Sequence, residues 1–373
     1  MKKPYIVKTF KYRCYPPKKA ERRANAAMVI RKQIWNTALR QRNNSYAQSK
    51  RDPSVKPITS HMAQYGLIRK SDHPELARED AQSMQYVLME LDAAFRSFWA
   101  LNKKGDPEAR PPQESSFWRH VTYRESGWRL DGRDLHLSNI GRFKLVLHRP
   151  IGGRIKTVTV YRDRDRWYAC FACECPLKTR PKSRRSVKIE FDDWIFLRDN
   201  RGGQFEPADF YNRDIDTLAR LNREKERKHR GSRNRAKARK TLAKWHRHIA
   251  GQREYYLHSI VDHYVKNYGR ISLEDIPVKV QIQYAITNEK ARKSCDAAYG
   301  MFIAMMEHKC REHQILLTRF KDEEKWHSKR TLAKEVAELE QAQRVRRKAQ
   351  QVLRRQSPML LRSLERDLKR AAI

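Results

Sequence analysis

Between residues 128 and 175 the chain runs through short stretches in which polar and apolar residues alternate, each closed by a turn signal. The runs are 128–130, 135–137, 143–147, 155–161 and 167–175. Asp131-Gly132, Ile140-Gly141, Gly152-Gly153 and Asp163-Arg164-Asp165 separate them. A period of two suits only an extended strand with one face buried. Several such strands in close succession predict a small antiparallel barrel. The last run carries Cys170, Cys173 and Cys175, a spacing that resembles a metal site at first sight. On a strand Cys173 and Cys175 share a face and Cys170 takes the other, and no second cysteine pair lies nearby. The three are therefore expected to pack rather than hold zinc.

The flanking segments read differently. Residues 5–15 alternate and end at Pro16-Pro17, which predicts a strand. From Lys18 to Ser49 the apolar residues recur at helical steps (Ala24, Ala27, Met28, Ile34, Trp35, Ala38, Leu39). A second helix is expected over 78–100, with Met84, Val87, Leu88, Leu91, Ala94, Phe95 and Phe98 on one face. Residues 102–112, rich in Lys, Gly and Pro, read as a loop. Beyond a basic linker at 176–186, residues 187–197 predict two strands and 214–268 two long helices around Gly231-Ser232. A strand then carries Ile271, Leu273 and Glu274. Residues 294–313 read as a helix and 315–320 as a strand.

Charge limits the partners. Lys and Arg number 82 against 43 Asp and Glu, a formal charge of +39 over 373 residues, and the excess is spread over every region. Such a field repels itself unless a polyanion neutralises it, so nucleic acid is the expected partner. No apolar run approaches 18 residues and no signal-peptide core follows Met1-Lys2-Lys3-Pro4, so the expected location is cytoplasmic, on the nucleoid. Six scattered cysteines fit a reducing compartment. Between Arg223 and Lys240 ten basic residues face two acidic ones, and Ser232, Asn234, Lys237 and Arg239 there suit phosphate contacts. From Gln341 to the end ten basic residues again face two acidic, in one or two aromatic-free helices.

Glu274 stands at the tip of its strand, behind a long helix. RNase H-like nucleases present a metal ligand in this way, and such sites need about three acids converging on two cations.

Several ordered segments resemble the TnpB family of transposon-encoded, RNA-guided nucleases, relatives of the type V CRISPR effectors. They are Phe10-Lys11-Tyr12-Arg13-Cys14-Tyr15-Pro16, Trp35-Asn36-Thr37-Ala38-Leu39 and Leu91-Asp92-Ala93-Ala94-Phe95-Arg96-Ser97-Phe98. Most specific is Ile140-Gly141-Arg142-Phe143-Lys144-Leu145-Val146-Leu147-His148-Arg149-Pro150, and residues 231–239 and 273–276 follow in order. The resemblance covers roughly residues 5–320. It implies an α+β multidomain chain. Residues 1–16 and 117–180 would form an OB-like β-barrel (wedge), with a helical recognition lobe inserted at 17–116. An RNase H-like (RuvC) α/β domain would span 181–325, and a basic helical tail 326–373.

The same resemblance implies a guide RNA and a motif-adjacent DNA duplex as partners, with base pairing reading the sequence. Its candidate contacts are Lys11, Arg13, Tyr15, Trp35, Asn36, Arg142, His148 and Arg149. Charge adds Arg233, Asn234, Arg235, Lys237 and Arg239, and Arg346, Arg347 and Arg354 in the tail. Trp118, Tyr123, Trp128, Trp167 and Tyr168 are placed for base stacking, half or more of them being expected in the core.

The acids depart from the family pattern. Glu190 takes the position of the family's first Asp, and the following Gly is absent. Asp192 lies on the same strand face. No cysteine follows Cys310, so the family's four-cysteine zinc ribbon has no counterpart, and Glu365-Arg366-Asp367 only faintly echoes its third acidic motif. The chain thus resembles the nuclease-dead TnpB-like repressors most. On that basis it is expected to be a monomer without enzymatic activity or cofactor, with Glu190 and Glu274 as vestiges, that blocks RNA polymerase at a promoter. The rivals are an active RNA-guided endonuclease that uses Glu190, Glu274, a third acid and magnesium, and a transposition accessory or RNA-binding protein with no programmable DNA target.

Overall fold

The computed structural model describes residues 5–67, 81–106, 109–178, 183–192, 195–276 and 297–322. The chain divides into two compact units, Met1–Pro176 and Leu177–Ile373. The fold is α+β.

In the first unit β1 (Tyr5–Tyr15) leads into α1 (Lys18–Arg51), a short α2 (His61–Tyr65) and α3 (Ala81–Lys103). Six strands follow: β2 (His120–Tyr123), β3 (Trp128–Asp131), β4 (Asp134–Leu137), β5 (Gly141–Val146), β6 (Arg154–Asp163) and β7 (Arg166–Pro176). They form one seven-stranded sheet of order β2-β6-β7-β1-β5-β4-β3. Its end strands, β2 and β3, are consecutive in the chain and joined by residues 124–127, so the antiparallel sheet curls into a nearly closed barrel. Tyr123 on β2 donates its hydroxyl to the Ser138 carbonyl at 2.9 Å, across that gap. A register shift between Ile155 and Thr157 marks a bulge in β6, the device by which a sheet bends more sharply.

The alternation expected of β7 is realised: Trp167, Ala169, Phe171, Cys173 and Cys175 are buried and the residues between them half-buried. Cys170 therefore faces away from Cys173 and Cys175. Burial pushes the Cys173 thiol up to about 11. Gly153 is required where β6 begins. It sits at φ +76°, and a side chain there would run into the Glu174 carbonyl.

Proline at 17 opens α1, since proline has no N–H to leave unpaired at a helix start, and no Gly or Pro interrupts the 34 residues that follow. Ile34, Ala38 and Leu39 pack on Met84, Val87, Leu88 and Leu91 of α3. A buried polar cluster ties the three helices together. Arg42 of α1, 4% exposed, donates to Gln64 at 2.8 Å and to Asp92 of α3 at 2.5 Å. The Asp92 carboxylate also accepts from the His61 backbone at 3.0 Å and meets His61 Nδ1 at 2.5 Å. Burial pushes the Asp92 carboxyl up, but the His61 backbone, Arg42 and the His61 ring outweigh it and hold it below its ordinary value.

In the second unit a five-stranded sheet has the order β10-β9-β8-β11-β12. Its strands are β8 (Ser186–Phe191), β9 (Leu197–Asp199), β10 (Gln204–Phe205), β11 (Arg270–Glu274) and β12 (Leu316–Phe320). β8, β11 and β12 are parallel, and β9 and β10 antiparallel. The helices are α4 (Phe210–Arg213), α5 (Ile215–Arg227), α6 (Arg233–Asn267) and α7 (Tyr299–Glu312). One sheet face carries Val187, Ile189, Phe191, Ile271 and Leu273. It packs under Leu257, Ile260, Val261 and Tyr264 of α6 and Phe302 and Met306 of α7. Covering one face leaves the other open, and that open face carries Lys188, Glu190, Ser272 and Thr318.

Gly269 has no room for a side chain, because a Cβ would meet the Ser183 carbonyl. No helix among the described residues is long and apolar enough to cross a membrane. The expected tail over 326–373 lies outside the described residues.

Candidate nucleic-acid interface and carboxylate site

Pairing of β1, β6 and β7 lines up an outward row on the barrel. Register sets Tyr168 opposite Arg13, Cys170 opposite Lys11 and Tyr161 opposite Tyr168. The Tyr161 and Tyr168 rings stack with centroids 5.5 Å apart. Lys11 Nζ lies 4.5 Å from the Tyr168 centroid and 5.6 Å from that of Tyr161. The Arg13 guanidinium lies 5.1 Å from the Tyr15 ring and 5.6 Å from that of Tyr168. Burial pulls the Lys11 pKa down, but the Tyr161 hydroxyl and the neighbouring phenols raise it overall, so Lys11 stays charged. Nε and Nη1 of Arg13 are buried and have no hydrogen-bond partner among the described residues. Tyr15 is 55% exposed. Flat rings beside cations can stack bases and hold phosphates.

Sequence reasoning picked Lys11, Arg13, Tyr15 and Tyr168 from this row and missed Tyr161. The signal was present: Thr157, Thr159 and Tyr161 alternate with the buried Val158 and Val160. The stacking role expected of Tyr123 and Trp167 is corrected. Both are buried, at 2% and 4% exposure, Tyr123 bonded as above and Trp167 edge-on to Phe143.

Other nominated residues are partly engaged within the protein. Trp35 donates its indole N–H to the Gln113 carbonyl at 3.1 Å. Asn36 clasps the Ser115 backbone at 3.1 and 2.9 Å, and these two hold the 113–115 segment against α1. Exposed Arg142 approaches Asp134 at 3.4 Å. His148 and Arg149 are exposed. His148 packs on Tyr12 with ring centroids 5.2 Å apart, and the Arg149 guanidinium lies 5.0 Å over Phe10.

At the α5–α6 junction Ser232 caps α6 by accepting from the Arg235 backbone at 3.1 Å. The Arg235 guanidinium turns back to Glu226 at 2.7 Å and to the Lys228 carbonyl at 2.8 Å. Hydrogen bonds from Lys225 and Arg235 hold the Glu226 carboxyl down at about 2. Arg233, Asn234, Lys237 and Arg239 are exposed on α6. Arg346, Arg347 and Arg354 lie outside the described residues.

The acids gather at the C-terminal ends of the parallel strands. Register pairs Ile189 with Leu273, so Glu190 and Glu274 stand side by side one residue further on. Glu274 is 3% exposed, and its Oε2 accepts the Phe191 N–H at 2.7 Å. Glu190 meets Lys188 Nζ at 2.8 Å. Asp192 accepts from the Ile195 N–H at 3.1 Å and pairs with Arg198 at 3.4 Å, which fixes the turn into β9. Among the described residues no three His, Cys, Asp or Glu are grouped to hold a metal ion. With Lys188 and Arg198 on Glu190 and Asp192, the acids as arranged do not fit a pair of cations.

Comparison with known proteins places the chain. Residues 199–283 match the IS605 OrfB family model described as "Probable transposase", and residues 1–51 match the model of that family described as "Helix-turn-helix domain". The structure gives the latter segment as a strand and one uninterrupted helix. A "Putative RNA-guided DNA endonuclease" of Streptomyces pristinaespiralis is 26% identical over 82% of this chain and 75% of its own length. The "Putative RNA-guided DNA endonuclease InsQ" of Escherichia coli K12 is 26% identical over 66% of this chain and 60% of its own length. The chain thus spans three quarters of the one and three fifths of the other. Among solved structures, a Cas12f1–sgRNA–target DNA complex overlays with TM-score 0.49 at 11% identity, covering 85% of this chain and 89% of that one. The expectation of a chain without enzymatic activity is corrected here, because both named relatives are described as putative RNA-guided DNA endonucleases and nothing in the comparison shows inactivation. On its ordered motifs and its matches over residues 1–51 and 199–283, the chain is similar to TnpB proteins of the IS605 OrfB family.

Proposed function

We propose that this protein binds a guide RNA and uses it to locate and hold a DNA duplex beside a short adjacent motif. The observation that carries this reading is the row of Lys11, Arg13, Tyr15, Tyr161 and Tyr168 on the barrel, in a chain of formal charge +39. The rings accept unpaired bases whatever their sequence and the cations follow the phosphates, so sequence choice is left to base pairing. Two polyanions held together also balance a charge that a folded protein of this size carries poorly alone. Held at a promoter, such a complex would exclude RNA polymerase sterically.

The test is to purify the chain and sequence the RNA that accompanies it. A discrete structured RNA with a variable 3′ segment is expected, and duplex DNA matching that segment should then bind far more tightly than scrambled DNA. RNA of random sequence, or DNA binding indifferent to the guide, would refute the reading.

A second reading, RNA-guided DNA cleavage, is favoured by the juxtaposition of Glu190 and Glu274 on neighbouring parallel strands and by the names of the relatives. It predicts cleavage of guide-matched DNA in magnesium buffer that is lost in Glu274→Gln. Intact DNA after prolonged incubation of the wild-type complex would sink it.

A further inference from the structure

We infer that the second unit carries a nucleotide pocket at the N-terminal ends of its parallel strands. It takes one unpaired nucleotide, free or within a strand, with the base against Tyr268 and the phosphate among Arg184, Lys266 and Arg270. Such a site is separate from the barrel row and holds RNA of any sequence, so it adds to the guide-RNA reading and does not rest on it.

Strand direction and register fix the place. β8, β11 and β12 are parallel, and Ser186, Arg270 and Leu316 stand level where they begin. Glu190 and Glu274 lie four residues further along β8 and β11. At about 3.3 Å per residue the two ends are roughly 13 Å apart, so a ligand at the strand starts does not touch the carboxylates. Around those starts run residues 183–184, the Tyr268-Gly269 turn out of α6, and Gln314, which turns α7 into β12. Together they enclose a cavity of about 810 Å³, within the roughly 300–1,000 Å³ of pockets that hold small ligands. Its wall is tied together, since the Gly269 N–H donates to the Arg185 carbonyl at 3.0 Å and Ser183 Oγ to the Asn267 carbonyl at 3.2 Å.

The lining is one-sided in charge. Arg184, Lys266 and Arg270 border the cavity, and no Asp or Glu among the described residues does. All three are exposed, and none has an acidic partner among the described residues. The nearest acid in sequence, buried Glu312, is bound to Lys178 at 3.0 Å. α6 and α7 also end here, and their last carbonyls carry about half a negative charge each. Three full positive charges exceed that, so the cavity favours an anion. An inorganic anion would use only the basic side. Tyr268 and Leu316 supply an apolar side, and the Tyr268 ring is steadied by Tyr264 with centroids 6.0 Å apart. A fixed ring beside cations suits a base and its phosphate, and stacking of this kind accepts any base.

The test uses the full chain, stripped of nucleic acid in high salt and returned to moderate salt. A short single-stranded RNA containing 4-thiouridine is photo-crosslinked to it, and the labelled residues are identified by mass spectrometry. Label is expected at Tyr268 as well as on the barrel row. Lys266→Glu with Arg270→Glu should lower the Tyr268 label about tenfold, because the phosphate loses its counter-charges, and should leave label at Tyr15, Tyr161 and Tyr168 unchanged. Tyr268→Phe, which keeps the ring, should retain label at that position. Removal of the label by excess uridine 5′-monophosphate marks a site for the free nucleotide, and removal by unlabelled RNA alone marks a site for a strand. Absence of label at Tyr268, label that survives the charge reversal, or competition by uridine as strong as by its monophosphate would overturn the inference. Should the double variant misfold, judged by its melting temperature, Arg184→Glu supplies the same reading. Label on the barrel row reports on the guide-RNA reading separately, so the two stand or fall apart.

Discussion

The outer face of the barrel and the open face of the five-stranded sheet both carry cations on alternate strand positions, and they use them in opposite ways. On the barrel Lys11 and Arg13 lie against phenol rings. On the sheet Lys188 and Arg198 are bound to Glu190 and Asp192. A cation on a ring keeps its charge available to a phosphate, whereas a cation on a carboxylate has it largely cancelled. A basic composition alone therefore does not locate a nucleic-acid surface. What the cations stand on decides it. Loss of a stacked cation should register in affinity, and loss of a paired one in stability.

The sharpest test of the paired class is Arg42 with Asp92, the most buried pair among those described here. Asp92→Ala leaves the Arg42 guanidinium buried without its carboxylate, and breaking a pair of that kind costs about 3–5 kcal/mol. Urea unfolding of the full chain should show that loss in the transition of the first unit. The sign with pH follows from the depressed Asp92 carboxyl. A folded value below the unfolded one means the contribution is present above the ordinary carboxylate range and is lost as pH falls through the folded value. Wild type should thus lose stability in acid more steeply than Asp92→Ala. Parallel acid curves would break the assignment of this pair to stability.

The complementary test removes the stacked class. Replacing Lys11, Arg13 and Tyr168 by Ala should weaken guide-RNA binding about a hundredfold, since a stacked base is worth about 1–3 kcal/mol. The slope of log affinity against log salt should become shallower by about 0.7 per lost phosphate contact to single-stranded RNA. Stability should change less than affinity, because Lys11 is exposed and Arg13 and Tyr168 are only half-buried. If filter binding shows full affinity and the melting temperature falls instead, the distinction between stacked and paired cations fails on the barrel.

Gly269→Ala tests whether the sheet can be perturbed without touching the barrel. Its added Cβ would meet the Ser183 carbonyl, and forced overpacking of this kind costs about 1–3 kcal/mol. Calorimetry should show the second unit melting earlier while RNA binding by the barrel row is retained.

Sequence reading reached these elements unevenly, for identifiable reasons. The barrel strands and α1 were legible because a period of two or of three to four residues is a local property, and each segment declares its own buried face. The hydrogen bond from the Phe191 backbone to Glu274 was not foreseen, and the family resemblance suggested only that Glu190 and Glu274 belong to one site. The reach of Lys188 to the Phe320 ring was not visible at all. It depends on the register of β8 against β11 and β12, strands contributed by segments some eighty and more residues apart. Trp35 and Asn36 failed to declare their engagement for a similar reason, since their partners Gln113 and Ser115 lie beyond α3. Tyr161 was missed although its alternation was plain, because its place beside Tyr168 depends on the pairing of β6 with β7.

The smallest expected effect separates two arginines four residues apart on α6. Arg235 is held by Glu226 and the Lys228 carbonyl, and Arg239 is exposed. Arg235 thus belongs with Lys188 among the paired cations, and Arg239 with the open ones. Arg239→Ala should weaken nucleic-acid binding at every sequence alike, with the salt slope shallower by somewhat less than about one unit and stability unchanged. Arg235→Ala should leave the slope alone and lower stability slightly, as the loss of an exposed pair with one backbone bond does. Equal slopes in the two variants would show that Arg235 leaves its turn to meet phosphate. The Glu226 pairing would then describe only the free protein, and the α5–α6 junction would rearrange when RNA binds.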